Sequence, residues 1–172
     1  MIHLTARLLP DTQTEQLLTE TLAEFTRCCR WAHERAPVHA LDMHMIRRLL
    51  YNELRHQTEL GGMLCNLVFS VVAGYRRAVS DLGTVQGDIS PHKLIYYSNS
   101  LTIKGQQVSL LLLGGRVTIP FDMPKPEDYR TLKAADMRRA DLTKAKEGWS
   151  LDLQLAPREI FYSPEAITFA AV

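Results

Sequence analysis

The sequence has little of what marks several classes of protein. Its 172 residues hold three cysteines, and 20 Lys and Arg against 19 Asp and Glu leave a formal net charge of +1. Cys28 and Cys29 are adjacent and Cys65 is alone, so no CxxC pair predicts a zinc site and no even set predicts a disulfide framework. We interpret all three as small buried hydrophobic residues. Because the charge is nearly balanced, a nucleic-acid-binding surface would need cations segregated onto one face.

Long apolar runs are also missing. No stretch approaches the ~20 apolar residues of a membrane-spanning helix, and the N-terminus lacks the basic region and apolar run of a signal peptide. We find neither low-complexity segments nor an internal repeat. A composition of 46% hydrophobic and 23% charged residues is typical of a globular chain that buries a core. We therefore expect a cytoplasmic globular protein with no membrane partner.

Motifs of common enzymes are scarce. The sequence contains none of the patterns GxxxxGK[ST], GxGxxG, GxSxG and HExxH, which mark nucleotide-binding loops, serine hydrolases and zinc proteases. The six histidines have no spacing to cysteine or carboxylate that is typical of metal ligands. Asp152 falls on the polar side of its predicted strand, whereas a metal-dependent nuclease would need an inward carboxylate. We expect no catalytic residue, no metal site and no cofactor in this chain.

What is present is a change of hydrophobic period along the chain. Ile2, Leu4, Ala6 and Leu8 alternate with polar neighbours, which predicts a strand with one buried face. Three helical patterns follow it, at about 12–37, 42–56 and 63–80. The first opens with Thr12 and Glu15 at capping-box spacing, so we expect these two side chains to satisfy backbone donors of the first turn.

From residue 94 the period is that of strands. We predict strands at 94–97, 101–104, 108–113, 116–121, 137–144 and 149–155, with tight turns near Gly105, Gly114, Gly115 and Gly148. A lone strand leaves backbone groups unpaired, so the strand at residues 2–8 should pair with this later sheet. The predicted fold class is α+β, with an OB-like antiparallel β-barrel and a helical bundle inserted after the first strand.

This pattern divides the chain into four segments. We expect the first barrel strand in residues 1–10 and the inserted helical lobe in 11–82. The remainder of the barrel should occupy 83–160, followed by a C-terminal tail or linker in 161–172.

The second predicted helix carries a basic face. His44, Arg48, Tyr51 and Arg55 recur at +4, +3 and +4, and Arg47 flanks them. Cations interleaved with an aromatic ring suit contacts to phosphate and to a base or ribose. The same pattern is also typical of a plain solvated helix face. Arginines late in the other helices, such as Arg27 and Arg76, suit the helix dipole and have the same two interpretations.

Four stretches together suggest a family: "ARLLPDTQTEQLLTETLAEFTRCCRWA", "LRHQTELGGMLCNLVFSVVAGYRRAV", "LIYYSNSLTIKGQQVSLLLLGGRVTIPF" and "ADLTKAKEGWSLDLQLAPRE". Their order of strand, helical insertion and barrel resembles the N-terminal half of transposon-encoded RNA-guided nucleases of the TnpB family, relatives of type V CRISPR effectors. The positions that match the family's paired-hairpin pattern are Lys104, Leu110, Gly115, Arg116, Pro120 and Phe121.

The resemblance implies a wedge barrel with a recognition lobe that holds structured guide-type RNA and target DNA, and that reads backbone shape while base pairing reads sequence. The residues it nominates for nucleic-acid binding are Arg27, Arg30, Arg48, Tyr51, Arg55, Arg76, Arg77, Lys104 and Arg116. Tyr51 and Tyr75 would stack on or position nucleotides, although Tyr75 also suits the core. The family's GxDxG nuclease strand and CxxC…CxxC zinc module are not in this sequence.

Several functions remain open at this level. The leading hypothesis is a non-catalytic module that recognises nucleic acid in a transposon- or CRISPR-related system. The chain could instead be one subunit of a split nuclease that associates with a separately encoded catalytic half or with a second copy of itself. A protein-interaction domain would explain the near-neutral charge, and a decayed transposon remnant would fold without a function.

Overall fold

The computed structural model describes residues 1–81 and 89–158. Most of the predicted turn-rich stretch at 83–91, and the whole predicted tail at 161–172, lie outside the described residues. The elements, in chain order, are β1 (Ile2–Leu8), α1 (Thr12–Arg35), α2 (Met43–Gln57), α3 (Gly62–Asp81), β2 (Lys93–Tyr96), β3 (Leu101–Lys104), β4 (Gln107–Leu112), β5 (Gly115–Asp122), α4 (Pro126–Ala134), β6 (Ala135–Ala145) and β7 (Gly148–Pro157).

Strand β1 finds two partners in the later sheet, as its unpaired edges require. It runs antiparallel to β7, with Ile2 opposite Leu155, and antiparallel to β5, with Leu8 opposite Phe121. The strand order is β2-β6-β7-β1-β5-β4-β3, so β1 lies in the middle. The first strand of the chain therefore joins the β6–β7 hairpin to the β3–β4–β5 meander.

The sheet curls until its two edges approach each other. Edge strands β2 and β3 are joined by residues 97–100 alone, and such a short connection keeps the edges close in space. The Tyr96 hydroxyl on β2 donates a hydrogen bond of 2.9 Å to the Leu111 carbonyl on β4. The result is a nearly closed antiparallel barrel with the helices α1–α3 inserted after its first strand, which confirms the predicted α+β fold class.

Barrel and helices share one core. Leu94, Leu110 and Trp149 are buried inside the barrel, and Phe25 and Val72 are buried among the helices of the same apolar cluster. Burial of this area is the main stabilising contribution, at about 25 cal/mol per Å² of apolar surface. At the junction, the Thr21 hydroxyl of α1 accepts a 3.0 Å hydrogen bond from the Leu113 amide and donates to the Leu17 carbonyl at 2.7 Å.

The start of α1 corrects one prediction. Asp11, not Thr12, is the N-cap, and its carboxylate accepts a 2.7 Å hydrogen bond from the Thr14 amide. A carboxylate at this position satisfies an orphan donor and also favours the positive end of the helix dipole. The capping box proposed for Thr12 and Glu15 was therefore wrong by one residue. Helix α2 starts in the same way, with Asp42 accepting from the Met45 amide at 3.0 Å.

Helix α4 was not predicted. It begins at Pro126, whose fixed φ suits the first turn, and none of its residues is buried. Its nine residues carry two large apolar side chains, Tyr129 and Leu132, and so short a stripe is a weak signal for a helix in a sequence. One contact with the barrel is made by Tyr129, which stacks on Phe121 at 6.1 Å between ring centroids and donates to the Asp122 carboxylate at 2.9 Å.

In the part of the chain that the structure describes, no helix is long and apolar enough to cross a membrane.

Candidate nucleic-acid interface

The arginines predicted on the helices do not form one continuous face. Arg55 on α2 donates to the Leu60 carbonyl and reaches the Cys65 sulfur at 3.8 Å, near the start of α3. Arg76 lies eleven residues further along α3, about 16 Å away at the α-helical rise. Its contacts are with the end of α1. These two side chains therefore serve opposite ends of the helical bundle.

Arg76 is an interior residue. It is 3% exposed, and its guanidinium donates to the carbonyls of His33, Ala36, Pro37 and Ala40 at 2.6, 2.8, 2.5 and 3.2 Å. Burial lowers the pKa of this guanidinium. Because the donors of Arg76 are buried and bonded to acceptors of the protein, we do not include Arg76 in a phosphate-binding surface.

Arg27 is held by neighbouring groups of the chain. It forms a bidentate pair with Glu24, both contacts being 2.7 Å, and it also donates to the Gln57 carbonyl at 3.1 Å. The hydrogen bond from Arg27 is the main reason that the pKa of Glu24 is lowered. The bond to Gln57 joins α1 to the end of α2. The pair with Glu24 neutralises the positive charge of Arg27 that would otherwise attract a phosphate.

The remaining predicted cations of the helices differ in their surroundings. Arg30 donates to the Ile89 carbonyl at 3.3 Å and so ties α1 to the segment that leads into β2. Arg48 on α2 and Arg77 on α3 are exposed to solvent. Tyr75 is half-buried and meets the His33 ring edge-on at 5.2 Å, which places it at the α1–α3 contact.

Lys104 and Arg116 come together on the outer face of the sheet. Both line a shallow groove of about 340 Å³ with four polar residues, and we call this set the sheet patch: Thr102, Lys104, Gln107, Ser109, Arg116 and Thr118. The strand register explains the grouping, because Ser109 lies directly opposite both Thr102 and Thr118. Three hydroxyls therefore stand in a row across β3, β4 and β5, between the two cations.

Acidic side chains are rare on this face of β3–β5. The outward positions of the three strands carry one acid, Asp122, at the last residue of β5. Asp122 accepts hydrogen bonds from the Tyr129 hydroxyl and from the Met123 amide, both at 2.9 Å. Arg116 donates to a neutral acceptor, the Asn99 carbonyl, at 3.0 Å. Among the residues that the structure describes, no carboxylate is therefore paired with Lys104 or Arg116 of the sheet patch.

The sheet patch is continuous with part of α2. Leu111 is the cross-strand partner of Arg116. Gly61 lies next to the Leu111 side chain, since a Cβ built on Gly61 would be 3.3 Å from Leu111 Cδ2. A Cβ on the next residue, Gly62, would lie 3.3 Å from the Tyr51 hydroxyl. The Arg47 guanidinium in turn lies over the Tyr51 ring at 5.3 Å. We call the sheet patch together with Leu111, Gly61, Gly62, Tyr51 and Arg47 the basic strip.

The opposite half of the sheet has a different electrostatic character. On β6, Asp141 accepts from Arg139 and from Lys93, each at a shortest distance of 2.6 Å. Burial alone would raise the pKa of Asp141, but these two cations outweigh that effect and lower it. On β7, Asp152 accepts from the Thr5 hydroxyl at 2.7 Å. Asp141 and its two cations are therefore paired with one another, whereas Lys104 and Arg116 have no carboxylate partner among the described residues.

The arrangement can bind anions but shows no arrangement for metal catalysis. Among residues 1–81 and 89–158, no group of three or more His, Cys, Asp or Glu side chains could hold a metal ion. The three cysteines are buried and unpaired, as expected, and burial raises the pKa of each thiol, that of Cys28 to about 11. Lysine and arginine flanked by hydroxyls are groups that proteins use to contact a sugar–phosphate backbone.

Sequence reasoning missed part of this site. Arg47 was noted only as a flanking residue, and the hydroxyl row of Thr102, Ser109 and Thr118 was not recognised. The signal for the row was available, since these residues occupy outward positions of three predicted strands. Their alignment depends on register, which is set by the hairpin turns.

Comparison with known proteins adds no assignment. No known protein-family model matches this sequence, and no curated protein is significantly similar to it.

Proposed function

We propose that this protein is a nucleic-acid-recognition module that contacts the sugar–phosphate backbone of structured RNA through the basic strip. The observation that carries the proposal is that Lys104 and Arg116 line one groove on an acid-poor sheet face that continues into Arg47 and Tyr51. This segregation of charge is what a chain with a net charge of +1 needs in order to attract a polyanion.

The expected binding is of moderate strength. Lys104, Arg116, Arg47 and the neighbouring Arg48 supply four cations, and each phosphate contact contributes about 0.7–0.9 to the slope of log K against log salt. Affinity should therefore fall about 3 orders of magnitude for each tenfold rise in salt. The hydroxyls of the sheet patch would position the sugar–phosphate backbone of the RNA. The Tyr51 ring is already covered by Arg47, so it would stack on a base less well than an uncovered ring does.

The kind of nucleic acid comes from the sequence resemblance. A wedge barrel with a recognition lobe favours guide-type structured RNA with target DNA, in an RNA-guided, transposon- or CRISPR-related system. In this proposal the chain has no catalytic role of its own and acts in the cytoplasm. Backbone recognition without base contacts agrees with a system in which pairing supplies the sequence specificity.

The test uses the full chain and a fluorescein-labelled 30-nucleotide RNA hairpin, with binding followed by anisotropy between 50 and 300 mM salt. Lys104→Glu with Arg116→Glu should weaken binding at least ~10-fold and reduce the salt slope by at least about 1.5, because two phosphate contacts are lost. A 30-base-pair DNA duplex, measured in parallel, tests the DNA part of the proposal.

The matched control is Lys125→Glu with Lys146→Glu, which makes the same change of charge at two exposed residues outside the basic strip. The control should bind RNA within ~2-fold of the parent at 150 mM salt, where distant charges are screened. Equal losses in the two double variants would show that only net charge matters. Absence of RNA binding by the parent at 50 mM salt would end the proposal.

A further inference from the structure

Among residues 1–81 and 89–158, two strand edges of the barrel have no partner strand along one groove. Within the described residues, β3 pairs with β4 alone. Residues 135–137 and 139 of β6 pair with β7 alone, because β2 reaches only Ala140 and the residues beyond it, and Arg138 lies at a register shift between them. A groove of about 830 Å³ is lined by residues of both edges, including Ile103 on β3 and Met137 on β6. We call it the seam groove. The seam groove lies between β3 and β6, where the barrel does not close.

The turn after β3 fixes which backbone groups face the groove. Gly105 and Gln106 form a two-residue turn closed by the pair Lys104 and Gln107, and Gly105 has the positive φ of +60° that such a turn requires. The closing pair of a two-residue hairpin is hydrogen-bonded, and the next pair along the strands is not. The N–H and C=O of Ile103 therefore point away from β4, towards the open edge.

The side chains of the seam groove combine an apolar part with cations. Leu101, Ile103, Leu132 and Met137 supply the apolar surface. Lys133 and Arg138 are exposed cations of the same lining. The acid of the lining, Asp136, is already paired with Arg158 at 3.1 Å. The groove therefore carries excess positive charge beside apolar surface.

We propose that the seam groove binds an extended segment of a partner protein, which adds to β3 as a further strand. An exposed strand edge pairs with a peptide through main-chain hydrogen bonds, while alternate side chains of the peptide enter pockets. Here one face of the added strand meets the apolar residues, and acidic side chains of the segment meet Lys133 and Arg138. The segment is thus one in which apolar and acidic residues alternate.

A nucleic acid fits this groove less well than a peptide does. The N–H and C=O of Ile103, which point away from β4, match the main-chain pattern of another strand, and a polynucleotide lacks that pattern. The Tyr129 ring, which lies in the lining, already stacks on Phe121, and its hydroxyl already binds Asp122. The seam groove shares Thr102 with the sheet patch. The proposal otherwise rests on different residues from the nucleic-acid site.

The experiment is a selection of random nine-residue peptides, displayed on phage, against the full-length protein. We expect enriched peptides to alternate apolar and acidic residues. Their binding, measured with the synthetic peptide, should fall at least ~10-fold in Lys133→Glu with Arg138→Glu, since two charge contacts reverse. The control is Lys125→Glu with Arg130→Glu, whose exposed residues lie outside the lining and whose affinity should stay within ~2-fold.

Hydrogen exchange then separates strand addition from simple charge attraction. Saturating peptide should slow exchange of the Ile103 amide at least ~10-fold, because an added strand would accept its hydrogen bond. Failure to enrich any peptide, indifference of binding to the Lys133 and Arg138 changes, or an unprotected Ile103 amide would each overturn the proposal. Enrichment of peptides that match residues 159–172 would assign the groove to the chain itself and would also overturn it.

Discussion

The guanidinium of Arg76, near the end of α3, donates a 2.6 Å hydrogen bond to the backbone carbonyl of His33, in the last turn of α1. The Arg76 Nε also donates to His33 Nδ1 at 3.3 Å. Carbonyls in the last turn of a helix have no partner within the helix, and a cation suits the negative end of its dipole. One buried arginine thus completes the end of α1 and fixes it against α3.

Replacing Arg76 should destabilise the fold. Arg76→Met leaves several carbonyls without their donor, and we expect a loss of about 2–4 kcal/mol in the free energy of unfolding, measured in urea. The adjacent Arg77 is exposed and serves as the control, with Arg77→Met expected to change stability by less than ~0.5 kcal/mol. If both variants unfold at the parent's midpoint, the contacts of Arg76 are not important for stability.

Stability should also depend on pH through His33. Burial, and then the positive charge of Arg76, lowers the pKa of His33 below its ordinary value of 6.5. The folded protein therefore binds this proton less readily than the unfolded chain does. The stability that depends on neutral His33 is fully present above pH 6.5, the ordinary pKa of histidine. It is lost progressively as the pH falls from 6.5 to the pKa of His33 in the folded protein.

The measurement for His33 is the melting temperature from pH 8 to pH 5, compared between the parent and His33→Gln. The glutamine keeps an acceptor for Arg76 but does not titrate, so the variant should lose less stability than the parent over this range. Parallel curves for the two proteins would contradict the assignment to His33.

Arg48 and Arg55 should respond differently to charge reversal, although both lie on the predicted basic face of α2. Arg48 is exposed beside the basic strip, so Arg48→Glu should weaken RNA binding and leave the melting temperature unchanged. Arg55 donates to the Leu60 carbonyl, so Arg55→Glu should lower stability by about 1–2 kcal/mol. RNA anisotropy and urea unfolding, run on both variants, separate the two roles. A stability loss in Arg48→Glu would remove it from the proposed surface.

The cysteines should be unreactive in the folded protein. Burial raises the pKa of the Cys28 thiol to about 11, so at pH 8 well under 1% of it is in the reactive thiolate form. We expect all three thiols to react with Ellman's reagent at least ~100-fold more slowly in buffer than in 6 M guanidinium chloride. Rapid labelling of one thiol in buffer would show that its site opens readily.

Much of the fold was predictable because its elements have strong local signals. The apolar stripe of α1, the alternation of β7 and the glycines at the hairpin turns gave the element types and nearly the correct boundaries. The pairing of β1 with later strands followed from the cost of an unpaired edge. Helix α4 was missed because it buries no residue, and Asp11 was overlooked because the cap lies one residue before the pattern.

The candidate site was less predictable than the fold. Of the nine nominated residues, Lys104 and Arg116 came together on the sheet patch, and Tyr51 lies beside it on the basic strip. Arg27, Arg55 and Arg76 have contacts within the protein that occupy their guanidinium groups. A helical period places arginines on one side of a helix, but it does not show which carboxylate or carbonyl will lie opposite them.

By itself, the sequence determined the order of the strands and of α1–α3, the burial of the cysteines, and the need for β1 to pair. These features depend on interactions between near neighbours and on the period of apolar residues, both of which can be read along the chain. Tertiary structure alone decided that Arg76 is buried, that Lys104 and Arg116 line one groove, and that β3 pairs on one side only among the described residues. Those outcomes depend on which residues, distant in the sequence, become neighbours in the fold. A charged side chain is a structural contact when its partner lies within the protein, and it is a binding group when it faces solvent without such a partner.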